Sequence, residues 1–214
     1  HGVWLPRHSA PLDAELARLR GHREERNLKI LDRLRSIGIN IGYQEVLDEA
    51  GGESVGRPHI ARVLQKRGIV SNFAQAFELY LGYYGAAYVP RTLLTPEEGV
   101  SLMADLGAVV SFAHPMLIRC PPSWFDEIIP RLKEAGLGAI EAYHSEHSAR
   151  DERFCVELAA RYGLGLSGGS DYHGMAKPGV ELGRGKGGLR VTVALLDALK
   201  ARRKRPVDDA PEVL

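Results

Sequence analysis

Ala108-Val109-Val110-Ser111-Phe112-Ala113-His114-Pro115 is the stretch whose reading decides the fold. Its first five residues are apolar at consecutive positions apart from Ser111, the pattern of a short strand covered on both faces. Just upstream, Thr95-Pro96-Glu97-Glu98 places a capping hydroxyl, a proline at the first helical position and acids in the first turn, which predicts a helix to about residue 106. Downstream the order repeats. A helix is expected over 123–135, a strand over 139–143, a helix over 149–162 and a third strand over 164–168. Apolar strands alternating with helices imply an α/β fold with a parallel sheet.

Before Pro90 the character differs. Gly2 to Leu5 reads as the end of a strand. Over 11–37, Leu12, Leu16, Leu19, Leu28, Leu31 and Leu34 recur at three- and four-residue steps, a helical pattern. The run His22-Arg23-Glu24-Glu25-Arg26 between them reads as a solvated helical face. Three short helices are expected over 43–49, 57–66 and 72–81, the second with Pro58 in its first turn and the third capped by Ser71 or Asn72. Gly38, Gly51-Gly52, Gly68 and Gly82 separate them. The chain therefore divides into residues 1–19, the end of an N-terminal part; 20–90, an all-helical lobe; 91–205, the α/β part; and 206–214, a frayed tail after the basic run Arg202-Arg203-Lys204-Arg205.

Composition excludes more than it assigns. The 214 residues are 44% hydrophobic and 26% charged, with net charge +1, so neither a nucleic acid nor a membrane surface is called for by charge alone. No apolar run of about 18 residues is present, so no membrane span is expected. Cys120 and Cys155 form no CxxC pair, which fits a reducing, cytoplasmic setting rather than a disulfide scaffold. The chain opens at His1 and runs into Val3-Trp4-Leu5, so it reads as a fragment whose beginning lies elsewhere. Nothing in it speaks to oligomeric state.

His114, His144, His147 and His173 lie directly after the three expected strands. Ligands of parallel α/β folds bind at that end of the sheet. In Ser170-Asp171-Tyr172-His173 an extended backbone would turn Asp171 and His173 to one side, a carboxylate and an imidazole suited to Mn, Fe or Zn. Gly168-Gly169 would let the chain turn tightly before them, and Pro115 would hold His114 extended. A strand-end cap beside a surface histidine accounts for Asp171 and His173 equally well, and a polar loop accounts for Glu141 to His147. In the lobe, Gly56-Arg57-Pro58-His59 puts free backbone N–H groups, a guanidinium and an imidazole at a helix start, a phosphate-binding combination or a solvated cap. Arg91 is either a second basic point or an exposed arginine.

Taken in order, GRPHIA (56–61), AHP (113–115), E-x-Y-H-x-x-H (141–147) and GSDYHG (169–174) resemble the PHP (polymerase and histidinol phosphatase) phosphoesterases, within them the branch with a helical insertion often labelled TrpH-like. The resemblance covers nearly the whole chain. It implies a distorted (β/α)7 barrel, partial here, and two or three divalent metals, manganese favoured. His114, Asp171 and His173 would be metal ligands and catalytic residues. Arg57, His59, Arg91, His144 and His147 would contact substrate phosphate. The implied reaction is in-line hydrolysis of a phosphomonoester of a small nucleotide, a 3′,5′-nucleotide bisphosphate, with trimming of short RNA from its 5′ end. The family's opening His-x-His strand and the ligands after it are not in this sequence. A remnant that binds nucleotide or RNA without turnover, or an amidohydrolase-type metal hydrolase, are the alternatives.

Overall fold

The computed structural model describes residues 1–203 except Glu53, Met175 and Ala176; the expected tail lies outside the described residues. Two compact units are present, one of Ala10–Leu93 and one of His1–Ser9 with Leu94–Leu214.

The chain enters the helical unit from β1 (Gly2–Val3), a strand of the other unit. The helical unit opens with α1 (Ala10–Ser36), one continuous helix of 27 residues. The sequence reading placed the division near residue 20. It falls at Ala10 because nothing in this stretch interrupts the helical ladder: Pro11 is tolerated in a first turn, and Gly21 alone costs only about 1 kcal/mol. The buried stripe of α1 is Arg26, Asn27, Ile30, Leu31 and Leu34, at three- and four-residue spacing. Helix α2 (Tyr43–Ala50) starts where the Gly42 N–H donates to Glu45 Oε1 at 3.0 Å and ends on left-handed Gly51. Helix α3 (Arg57–Lys66) and α4 (Phe73–Ala76) follow, the latter capped by Asn72 Oδ1, which accepts from the Gln75 N–H at 2.9 Å. The sequence suggested one helix over 72–81, but the coil widens into a π turn over Phe77–Leu81. It closes with Gly82 N–H donating to Phe77 O at 2.7 Å, an approach only glycine allows, since a Cβ there would lie 2.5 Å from the same oxygen. Ile30, Leu34, Val46, Ile60, Leu64 and Leu81 are wholly buried in one apolar cluster.

In the α/β unit, α5 (Pro96–Asp105) has the reciprocal cap its sequence announced. Thr95 Oγ1 accepts from the Glu98 N–H at 3.2 Å, and Glu98 Oε2 accepts from the Thr95 N–H at 2.7 Å. The strand β2 (Val109–Phe112), helix α6 (Ser123–Glu134), strand β3 (Leu137–His144), helix α7 (Ala149–Tyr162) and strand β4 (Gly165–Gly169) then alternate. The sheet order is β1-β2-β3-β4, with β2, β3 and β4 parallel and β1 antiparallel to β2. This is a mixed α/β architecture. Phe125, Ile129, Ile140, Ala142, Cys155 and Leu158 form its core. Helix α8 (Val193–Lys200) was not legible in the sequence. Only Leu199 of it is buried, against Val109, Ala139 and Trp4, so its apolar period is weak. No helix among the described residues is long and apolar enough to cross a membrane.

Both cysteines are free thiols. Cys155 is fully buried and burial pushes its thiol up to about 12, whereas Cys120 is half-buried. A thiol reagent at neutral pH is expected to label Cys120 and spare Cys155 until the chain is unfolded, as read by peptide mass. Equal labelling of both in the folded protein would contradict this packing.

Candidate functional site

Because β2, β3 and β4 are parallel, their C-terminal ends open on one edge of the sheet, and antiparallel β1 brings His1 to the same edge. A row of rings follows it: His1 to His114 at 6.1 Å, His114 to His144 at 5.7 Å and His144 to His147 at 5.1 Å between centroids. Asp171 joins the row, with Oδ2 3.6 Å from His144 Nε2 and Oδ1 3.5 Å from His173 Nδ1. All five residues singled out here by sequence, His114, His144, His147, Asp171 and His173, thus share one edge. They are not drawn to a point. Among the described residues no three His, Cys, Asp or Glu side chains make a ready ligand set, and His114 approaches Asp171 by way of His144.

The backbone at these positions corrects two expectations. His114 is not extended: it has φ 31° and ψ 55°. A residue before proline is pushed away from helical angles, so this conformation is strained. Buried Glu141 holds it, its Oε2 accepting the His114 N–H at 2.6 Å. Asp171 also has positive φ, 55°, so the pair Asp171 and His173 is not an extended ladder. The His173 ring turns back instead, with Nδ1 2.9 Å from the Asp171 carbonyl oxygen. Gly168 and Gly169 do not serve a tight turn. A Cβ on Gly168 would meet the Tyr143 carbonyl oxygen at 2.8 Å, so glycine is required for the close approach of β4 to β3.

Hydrogen bonds fix which ring nitrogens carry protons. His147 Nδ1 lies 2.8 Å from Ala142 O, and His173 Nδ1 faces Asp171 O. A carbonyl only accepts, so in both rings Nδ1 carries the hydrogen, the arrangement that in a neutral ring leaves Nε2 as the metal-binding nitrogen. His147 Nε2 is buried with no protein partner. His144 is the opposite tautomer: its Nδ1 accepts the Glu146 N–H at 3.1 Å, so Nε2–H faces Asp171. Burial holds His144 below the usual imidazole range, against the opposing pull of Glu141 and Asp171. Lys177 Nζ lies 2.6 Å from both Asp171 Oδ2 and Glu146 Oε1. That ammonium keeps the Asp171 carboxyl below the usual carboxylate range. A cation lodged between two carboxylates beside imidazoles with open Nε2 atoms marks a place whose donors fit a divalent metal. Lys177 carried no sequence signal, and Glu141 stood at the head of the E-x-Y-H-x-x-H motif without an assigned role.

The helical unit holds a separate cavity of about 310 Å³, lined by Arg23, Arg26, Arg57, His59, Phe77 and Arg91 among others. Among the described residues no carboxylate lines it. Arg57 Nη1 donates to Leu81 O at 2.8 Å and its guanidinium lies over the Phe77 ring. Arg26, read from sequence as part of a solvated face, is only 8% exposed. Its Nε donates to Val89 O at 2.8 Å while Nη2 is buried without a protein partner. Burial lowers its pKa, and the charges of Arg57, Arg91 and Arg23 lower it further. Such crowding of like charge is relieved by an anion. The helix start offers fewer backbone donors than expected. The Gly56 N–H donates to His59 Nδ1 at 3.1 Å, the His59 N–H turns to Gly56 O, and Pro58 has none. The charged donors of the cavity are therefore arginine side chains, and buried His59 accepts from the Gly56 N–H in the turn that carries Arg57.

No family model matches the chain. It is 30% identical over 175 residues to the 5′-3′ exoribonuclease Rnm of Escherichia coli, covering 81% of this chain and 59% of that protein. It is 28% identical over 186 residues to the 3′,5′-nucleoside bisphosphate phosphatase of Chromobacterium violaceum, covering 83% and 65%. A crystal structure from Bifidobacterium adolescentis, described as a metal-dependent phosphoesterase, superposes with TM-score 0.68 at 26% identity over 94% of this chain and 70% of that one. The chain spans less than two thirds of the length of the curated relatives it matches.

Proposed function

We propose that this chain, which belongs to the PHP family of phosphoesterases, supplies a phosphate-binding lobe and metal ligands to an enzyme that hydrolyses a phosphomonoester of a small nucleotide. The favoured substrate is a 3′,5′-nucleotide bisphosphate, and the same chemistry would trim short RNA from its 5′ end. The observation that carries the reading is the cavity lined by four arginines, one of which, Arg26, is buried with an orphaned Nη2. An amide substrate gives no reason for it. On this reading the four-stranded sheet is part of the family's distorted (β/α)7 barrel, and the helical unit Ala10–Leu93 is its insertion. The free thiols accord with a reducing, cytoplasmic setting.

Two or three divalent ions, manganese favoured, would supply charge neutralisation and water activation when bound. Asp171, His173 and His114 would hold them. Asp171 stays ionised at neutral pH, because Lys177 lowers its pKa, and so presents acceptors only. His144 Nε2–H faces that carboxylate at 3.6 Å. His147 Nε2, buried without a protein partner, is free to take or pass a proton. Arg57, with Arg23, Arg26 and Arg91, would bind a phosphate that is not cleaved, neutralising it with planar, bidentate donors. No protein nucleophile is needed. The full-length gene product is expected to release phosphate from a 3′,5′-nucleoside bisphosphate and no ammonia or amine from cyclic amides. The reverse outcome would make it an amidohydrolase, and binding without turnover would make it a remnant.

A further inference from the structure

The helical unit exposes two adjacent aromatic rings that its core does not explain. Tyr83 is 71% exposed and Tyr84 95% exposed. Their backbone is nonetheless well tied: Gly85 N–H donates to Gly82 O, Ala86 N–H to Leu79 O and Ala87 N–H to Tyr80 O, at 2.9–3.0 Å. The rings brace one another. Tyr83 meets Tyr84 edge to face at 4.9 Å and meets half-buried Tyr88 at 5.3 Å. A fixed loop thus presents an open ring, Tyr84, on a buttress of two others, which differs from a tyrosine left loose on a surface.

This shelf is tied to the arginine cavity of the same unit through Leu81. Arg57, which lines the cavity, donates to Leu81 O, two residues before Tyr83, and rests on Phe77 of the same turn. Chain connectivity keeps the Cα of Tyr83 within about 8 Å of that of Leu81. Arg33 donates to the carbonyl of Tyr88, so the buttress is pinned to α1. An anion seat and an exposed aromatic face on one unit, linked through Leu81, are the two parts from which single-strand sites are built.

We propose that Tyr84, braced by Tyr83, stacks on a base of single-stranded RNA whose neighbouring phosphate occupies the arginine cavity. The proposal rests on the reading of that cavity as a phosphate seat. It narrows the substrate class: aromatic faces accept any base without sequence preference, and a duplex, whose bases are covered, has no face to offer. A nucleotide bisphosphate fills the phosphate seats with its own base elsewhere, so the shelf should matter for an oligonucleotide and not for the bisphosphate.

The test is binding with chelator present, so that nothing is cleaved. The probes are a 5′-phosphorylated single-stranded oligoribonucleotide labelled at its 3′ end, read by fluorescence anisotropy, and a 3′,5′-nucleoside bisphosphate, read by calorimetry. Tyr83→Ala/Tyr84→Ala should weaken the oligonucleotide about 5- to 150-fold, the effect of losing one stacked base. It should leave the bisphosphate unchanged, which also verifies folding, and Tyr84→Trp should retain the affinity. Arg57→Ala should weaken both probes. If the tyrosine variant binds RNA as the parent does while Arg57→Ala weakens both, the shelf is wrong and the phosphate seat stands. If Arg57→Ala changes neither probe, the phosphate seat falls and the proposal with it. If the tyrosine variant loses the bisphosphate as well, the rings support the cavity rather than a base, and the proposal is overturned.

Discussion

Asp171→Asn in the full-length protein is expected to fold like the parent and to lose phosphate release by about a thousandfold or more. Three powers of ten correspond to about 4 kcal/mol, the scale on which bound metal stabilises a phosphoryl transition state. Asparagine is the cleaner substitution because Asp171 has positive φ. Asparagine tolerates that region, whereas alanine would add backbone strain to the loss of the carboxylate. The variant also removes half of the ammonium clamp, but Lys177 keeps Glu146 at 2.6 Å, so the loop retains one tie. Metal content should fall along with turnover. An Asp171→Asn protein with parental kcat/KM would refute the ligand assignment.

Arg57→Ala is expected to lower kcat/KM for a 3′,5′-nucleotide bisphosphate by about 10- to 150-fold, the worth of one charge-assisted contact of about 1.5–3 kcal/mol. The matching mononucleotide, with no second phosphate to place, should change far less. The contrast between substrates matters because Arg57 also donates to Leu81 O and stacks on Phe77, so its removal costs some stability. A general loss of folding would slow both substrates alike. Equal slowing with a fully folded variant would place Arg57 on the reacting phosphate instead and end the two-seat account of specificity.

The architecture was largely legible from sequence because its signals are local. Thr95 and Glu98 announce a helix start through groups three residues apart, and the apolar runs before His114, His144 and Asp171 are strands wherever the rest of the chain goes. The site was legible in its members and not in its geometry. His114 and Asp171 take left-handed backbone because of Glu141 and of a turn back toward His173, contacts that join β2 with β3 and close a loop. Those depend on packing that no short motif encodes. Arg26 was missed although a signal existed. It lies four residues before Ile30 on the face that continues through Leu34, so the buried stripe of α1 extends through an arginine that composition alone places in water. Lys177, in a loop six residues after Asp171, had no such pattern to betray it.

On the proposed reading the protein is a metal-dependent phosphoesterase with an arginine-lined second phosphate seat. The most direct test of that reading is phosphate release from a 3′,5′-nucleoside bisphosphate by the full-length protein, stripped with chelator and then supplied with Mn²⁺, Fe²⁺ or Zn²⁺ in turn. The expected result is negligible release from the stripped protein and recovery on adding a divalent ion, manganese most effectively. Undiminished release after stripping, or none with any of the three ions, would contradict it.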